Sequence, residues 1–520
     1  MKLQIFDSTL RDGAQGEGVS FSVADKLKIL ERLDGFGIDF VEAGNPGSNP
    51  KDSEFFRRAR ALKLKNAALV AFGSTKRRNI PPGEDANIKA LIGAGTDYIS
   101  IFGKSHDLHV DCILRVTREE NLAMISETIG YLTRMGKGVF FDAEHFFDGY
   151  KSNREYAVKT LEAAAAAGAK AVVLCDTNGG GFPDEIARAT RYVCERINID
   201  VGIHCHNDTG CAVANSIAAV KGGAVQAQGT FIGNGERCGN AELCVLIPNL
   251  QLKMGYSCVP KGSMATLTET ARFIAEVSNT RLRRNMPYVG ECAFTHKGGM
   301  HIDGVTKNPA TFEHIAPESV GNERNFLISE MAGRSTVISK IKKIAPDFKK
   351  SDPIALKLTE RIKELEHKGY QFEAADASFE LLVLKELGKF EPYFEVVDFK
   401  IVSSLSSKAS AMIKIRVGER YEITADEGDG PVNAIDRALR KALEVFYPAL
   451  GAVRLTDYKV RIINSGDNTA AITRVLIEST DGAVTWTTVG ASENIINASM
   501  TALLDSIEYA LHARGNLRKP

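Results

Sequence analysis

Residues 156–177 read YAVKTLEAAAAAGAKAVVLCDT, and the two halves of this stretch carry different periods. The first half spaces its apolar residues for a helix and stops at Gly168, a residue suited to a left-handed C-terminal cap. The second half is a short apolar run ending in Asp and Thr, the pattern of a buried strand. The same alternation fills the first ~260 residues. Strand-like runs lie at 3–8, 39–44, 67–73, 98–103, 138–146, 171–177, 201–207 and 225–233. Between them run amphipathic helices such as VADKLKILERLDGFG (23–37), with Leu27, Leu30 and Leu33 on one stripe. Gly37, Gly95 and Gly136 close others. Strands alternating with helices imply right-handed βαβ units and a parallel sheet. Eight units in about 250 residues predict a closed α/β (β/α)₈ TIM barrel. A doubly wound open sheet is the competing fold. The count of eight disfavours it, as does the lack of a G-x-G-x-x-G turn after the first strand.

At 520 residues the chain exceeds one ordinary core, and composition narrows its class. Apolar residues make up 44% and charged residues 25%, which is ordinary for a soluble protein. Lys+Arg and Asp+Glu both number 65, so no overall field favours nucleic acid or anionic lipid. The nine cysteines contain no C-x-x-C pair and read as reduced thiols. The first residues enter a strand-like run without an h-region, and no apolar run approaches ~20 residues. A cytoplasmic protein with neither nucleic-acid nor membrane partners is expected.

Three domains are expected: a catalytic barrel over 1–262, a helical linker or lid over 263–375, and a C-terminal module over 376–520. In the middle part TERIKELEHKG (359–369) reads as a solvated helix and SKIKKIAPDFKKSD (339–352) as a surface connector. The last part repeats itself. EVVDFKIV (395–402), AMIKIRV (411–417) and NAIDRALRKAL (433–443) correspond to RLTDYKVRII (454–463), ITRVLIES (472–479) and NASMTALLDSI (497–507). The offset is constant at 64, from Asn433 to Asn497 and from Ala438 to Ala502. Each copy predicts about three antiparallel strands and a helix, an α+β module for pairing, regulation or both.

A TIM barrel builds its active site where the strands end. Those ends carry Arg11, Asp12 and Gln15, then Glu144, then Asp176 and Thr177, then IHCHND (203–208), and finally Glu236, Arg237 and Asn240. In a strand His204 and His206 share one face, and barrel closure brings that strand close to Asp12. Two imidazoles, a carboxylate and the Asn240 amide oxygen form a mixed N/O set suited to Mg²⁺, Mn²⁺ or Zn²⁺. A polar barrel mouth without metal is the plainer reading. Cys205 should face the other way, into packing.

DSTLRDGAQ (7–15), HCHNDTGCAVANS (204–216) and GNGERCGNA (233–241) closely resemble signatures of the metal-dependent acyltransferase and lyase superfamily. That superfamily holds the 2-isopropylmalate, homocitrate and citramalate synthases and 3-hydroxy-3-methylglutaryl-CoA lyase. DGAQGEGVSFSVADKLKI (12–29), PGSNPKDSEFF (46–56) and VFFDAEHFFDGYKSN (139–153) are most similar to the citramalate synthase branch, and the likeness continues to the C-terminus. The resemblance implies a Claisen condensation of acetyl-CoA with pyruvate, giving (R)-citramalate and CoA on a route to isoleucine. It implies a homodimer, with isoleucine (or leucine) as effector bound by the C-terminal module. Arg11 would support the keto-acid oxygen, and Gln15 and Thr177 would line the substrate site. The His-Gly segment GGMHIDG (298–304) offers His301 as the base, supplied by the partner subunit, with Glu144 orienting it or relaying a proton. Helix capping by His301 and a structural ion pair for Glu144 are the plainer readings. Where relatives carry tyrosine, ATFEHI (310–315) has Phe312, so a proton relay there would need water or His314.

The same machinery could run as a lyase, but the C-terminal repeat resembles the regulatory part of synthases. A 2-isopropylmalate or homocitrate synthase differs only in the wall beside the keto-acid side chain. A non-catalytic amino-acid sensor would have no need of Arg11, Asp12, His204 and His206.

Overall fold

A computed structural model describes residues 1–327, 341–342, 344–345, 348, 353–403, 408–463 and 471–513. Eight parallel strands close a barrel in sequential order. They are β1 (Gln4–Asp7), β2 (Phe40–Glu42), β3 (Ala68–Ser74), β4 (Tyr98–Lys104), β5 (Gly138–Glu144), β6 (Ala171–Asp176), β7 (Asp200–Cys205) and β8 (Gln226–Gly229). Closure is made by β1 on β8, with Gln4 opposite Gln226 and Phe6 opposite Gln228. The expected (β/α)₈ TIM barrel is therefore present.

The alternation along each strand separates two cores. One face points between strands and helices, where Ile5, Val41, Ile99, Phe141, Leu174, Ile203 and Cys205 are buried. The other face fills the lumen with Phe6, Phe40, Val70, Phe140 and Ala171. There the rings of Phe6 and Phe40 meet that of Phe140 edge-on at 5.7 and 5.0 Å. This aromatic plug closes one end of the lumen, so the polar residues nearer the strands' C-termini sit above a dry floor.

Local signals fix the helix ends. Helix Val23–Phe36 opens on a capping box, in which the Ser22 side chain accepts from Asp25 N at 3.1 Å, and it closes at Gly37 with φ 95°. Gly95, Gly136 and Gly168 also take positive φ. Beyond β8, helix Leu267–Val277 returns to the barrel, where Arg32 pairs with Glu269 at 3.0 Å and lies over the Phe273 ring.

The chain divides into two compact units. The first holds residues 1–294 and 315–324, and the second holds 295–314 and 325–520. In the second, strands Glu395–Val402, Ala409–Val417 and Arg420–Gly428 form an antiparallel sheet followed by helix Pro431–Glu444. Strands Arg454–Ile462, Thr473–Thr480 and Thr485–Ser492, with helix Ile495–Ala513, repeat that order. The alternating strands Ala409–Val417 and Thr473–Thr480 bury Ile413, Ile415, Val475 and Ile477 against Leu439, Leu443 and Leu503. The stretch 359–369, read as a solvated helix, lies within helix Pro353–His367 and its end. The connector expected at 339–352 lies mostly outside the described residues.

A buried carboxyl in this unit gives stability a pH dependence. Glu508 is 7% exposed and accepts from Tyr393 N at 3.2 Å. Burial pushes its carboxyl up to about 7 from 4.5. A value raised in the fold stabilises fully below the unfolded value, and that contribution is lost as pH rises through 7. Glu508→Gln should flatten this slope and be more stable than the parent at pH 8 by roughly 3 kcal/mol. Chemical denaturation of this unit at pH 5 and pH 8 reads the effect. Equal pH slopes in both proteins would show that Glu508 is ionised in the fold.

Candidate active site at the barrel mouth

The lumen opens at the C-terminal ends of the strands into a cavity of about 220 Å³. Arg11, Asp12, Gln15, Glu144, Thr177, His204 and His206 all line it. These lie at or just beyond the C-terminal ends of β1, β5, β6 and β7, which barrel closure gathers at one mouth. His204 and His206 share the inward face, each 5% exposed, and Cys205 between them packs outward at 0%.

Asp12 is the hub of the cluster. Its Oδ2 lies 3.3 Å from His204 Nε2, 3.7 Å from His206 Nε2 and 3.3 Å from Arg11 Nη1. Although burial opposes ionisation, Arg11, His204 and His206 hold this carboxyl well below the usual range. Burial pushes His206 down to about 4, aided by the charge of His204. His204 is also penalised by burial, but the hydrogen bond and charge of Asp12 carry it above its ordinary value.

Asn240 reaches the site through the GNGERCGN loop, where an isolated bridge pairs it with His206. Its Nδ2 donates to Asn234 O at 3.3 Å, which leaves Oδ1 as the free end. A Cβ at Gly235 would come within 2.1 Å of that Nδ2, so only glycine lets the amide in.

Three buried atoms, Asp12 Oδ1, His206 Nδ1 and Asn240 Oδ1, have no hydrogen-bond partner among the described residues. Buried polar atoms are rarely left so. One donor atom from each of Asp12, His204 and His206 lies within 4.8 Å of the others. Two imidazoles, a carboxylate and an amide oxygen, without thiolate, fit a divalent cation with open positions.

Arg11 is locked on three sides. Its Nε donates to Glu42 Oε2 at 2.6 Å, its Nη1 faces Asp12, and its plane lies 3.9 Å over the Phe72 ring. Glu144 pairs with Lys104. Thr177 Oγ1 accepts from His145 N at 2.8 Å.

Sequence reading passed over Glu42, Phe72, Phe102 and Asp142. The last three line the cavity, with Phe72 and Phe102 stacked at 5.2 Å. Asp142 accepts from Ser100 Oγ at 2.7 Å, and its Oδ1 has no partner among the described residues. Burial, then the charge of Glu42, pushes it up to about 6. The signal was present, since Asp142 stands two residues before Glu144 and so shares its face.

Of the other rim residues, Asp176 faces away and accepts from Gly181 N, while Arg237 pairs with Asp208 at 2.8 Å. His301 belongs to the second unit, on helix Gly299–Lys307, where its ring stacks on Phe312 at 4.2 Å.

Comparison with known proteins agrees with this geometry. The HMGL-like family matches residues 2–274. The (R)-citramalate synthase of Aquifex aeolicus is 53% identical over 98% of both chains, and that of Geobacter sulfurreducens is 49% identical over 98% of both. The chain belongs to the (R)-citramalate synthase family. A third (R)-citramalate synthase, from Synechocystis, is 48% identical over 98% of this chain and 96% of its own. Residues 288–370 match the homocitrate synthase post-HMGL domain-like family, and residues 373–511 match the LeuA allosteric (dimerisation) domain. Members of the HMGL-like family depend on a divalent metal, and the buried Asp12, His204 and His206 cluster answers to that dependence. Among the described residues no helix is long and apolar enough to cross a membrane.

Proposed function

We infer that the chain condenses acetyl-CoA with pyruvate to (R)-citramalate and CoA. The observation that carries this reading is the full-length likeness to (R)-citramalate synthases, joined to a mouth that gathers Arg11, Asp12, His204 and His206. A divalent cation bound by Asp12, His204, His206 and Asn240 would supply Lewis acidity to the keto-acid oxygens.

Arg11 donates toward the carbonyl oxygen, where negative charge grows as the new C–C bond forms. Its lock on Glu42 and Phe72 holds the donors in place before substrate arrives. Thr177 donates its hydroxyl to the substrate carboxylate, and Gln15 flanks it. Phe72, Phe102 and Asp142 stand as the wall against the keto-acid methyl.

His301 of the partner subunit takes the methyl proton of acetyl-CoA, and Glu144 orients it or relays the proton. The resulting carbanion carbon attacks pyruvate C2, and the carbonyl oxygen gains a proton. Water then cleaves the thioester to citramalate and CoA. The support for His301 is the segment GGMHIDG, and Phe312 beside it supplies no hydroxyl. In this reading residues 1–262 are catalytic, 263–375 link, and 376–520 dimerise the chain and bind isoleucine.

Product analysis tests the reaction. With acetyl-CoA, pyruvate and Mn²⁺, chiral chromatography should give (R)-citramalate in step with thiol release. Thiol release without citramalate would show thioester hydrolysis instead.

A further inference from the structure

Strand β8 reads Gln226-Ala227-Gln228-Gly229, and alternation places both glutamines on one face. Cross-strand register then sets Gln226 opposite Gln4 of β1 and Gln228 opposite His204 of β7. Gln226 and Gln228 are both 0% exposed. Gln228 Nε2 donates to Gln226 Oε1 at 3.3 Å, and Gln226 Nε2 donates to Gln4 Oε1 at 3.3 Å. The three amides therefore run in one direction.

That direction decides what His204 meets. Gln228 presents Oε1, which only accepts, to His204 Nδ1 at 3.1 Å. Nδ1 must carry the hydrogen, and Nε2, on the Asp12 side, is left to bind a cation. The acceptor is neutral, so it adds no charge to a lumen that already holds Asp12, Glu42 and Asp142.

We propose that Gln228, aligned by Gln226 and Gln4, positions His204 as an Nε2 donor to the divalent cation. The proposal rests on the metal reading of the site. Partners that orient ligand histidines typically change metal affinity 10- to 100-fold.

Calorimetric titration of the full chain with Mn²⁺ tests it, with circular dichroism checking that each variant is folded. Gln228→Leu should bind Mn²⁺ about 10- to 100-fold more weakly, with kcat recovering as Mn²⁺ is raised. Gln228→Glu keeps an acceptor for Nδ1 and should bind close to the parent or tighter. A packing role predicts the opposite order, since leucine fits a buried slot and a carboxylate does not. Gln226→Leu leaves His204 and Gln228 intact and should weaken binding in the same direction, so the test survives if Gln228→Leu does not fold. Parent-like affinity in folded Gln228→Leu or Gln226→Leu overturns the proposal, as does Gln228→Glu binding as weakly as Gln228→Leu. Failure of the parent chain itself to bind Mn²⁺ overturns the metal reading, and this proposal with it.

Discussion

His206→Ala is expected to lose divalent-cation binding and turnover together while the barrel stays folded. The imidazole is 5% exposed, and it stands at the edge of the lumen, apart from the aromatic plug of Phe6, Phe40 and Phe140. Its removal therefore costs little core. It does take one of two nitrogen donors from Asp12, whose carboxylate is left facing His204 and Arg11 alone. Since partners behind a ligand histidine already account for 10- to 100-fold in affinity, loss of the ligand itself should exceed about 100-fold. Calorimetry with Mn²⁺ and a melting curve on the same sample separate binding from folding. Full turnover by the variant in the presence of a chelator would remove the metal from the account.

Arg11→Lys should lower kcat by about 10²–10³ and leave the KM for pyruvate nearly unchanged. The guanidinium satisfies Glu42 through Nε and Asp12 through Nη1 while lying flat on Phe72. An ammonium is a point charge on a flexible stem and cannot hold those directions at once. Charge near the substrate carboxylate survives, so ground-state binding survives too. The donor aimed at the growing oxyanion does not, and only the transition state suffers. Steady-state kinetics with pyruvate as the varied substrate read the split. A kcat within about threefold of the parent would make Arg11 a structural partner of Glu42.

Local pattern made the barrel legible. Strand-like runs and Gly-capped helices are decided within 10–20 residues, and eight of each leave few ways to close. The repeat in the C-terminal module was legible for the same reason, because its two copies keep a constant offset. Residues at strand ends could be placed at the mouth by fold alone, which is how Arg11, Asp12, His204 and His206 were found together.

Glu42, Phe72 and Phe102 escaped because nothing in their own segments marks them, whereas Asp142 was readable from its place two residues before Glu144. Phe72 looks like any buried strand residue until β3 is seen to turn it toward Arg11. Gln226 and Gln228 escaped because an amide line needs the register of β1, β7 and β8 at once. Roles that depend on the second unit, His301 above all, came from resemblance, since no pattern near GGMHIDG points to the barrel.

In the proposed reading this mouth holds pyruvate by its keto-acid end and favours a methyl behind it. Thiol release from acetyl-CoA, measured with Mn²⁺ against pyruvate, 2-oxobutanoate, 2-oxoisovalerate and 2-oxoglutarate, tests it most directly. The stacked rings of Phe72 and Phe102 line the cavity, and in the proposed reading they bound the keto-acid side chain. Methylene-sized differences are worth ~1–3 kcal/mol, so kcat/KM for pyruvate should exceed that for 2-oxoisovalerate by about 10- to 200-fold or more. Activity with every substrate should vanish on chelation. A kcat/KM higher with 2-oxoisovalerate or 2-oxoglutarate than with pyruvate, or undiminished turnover in chelator, would contradict the account.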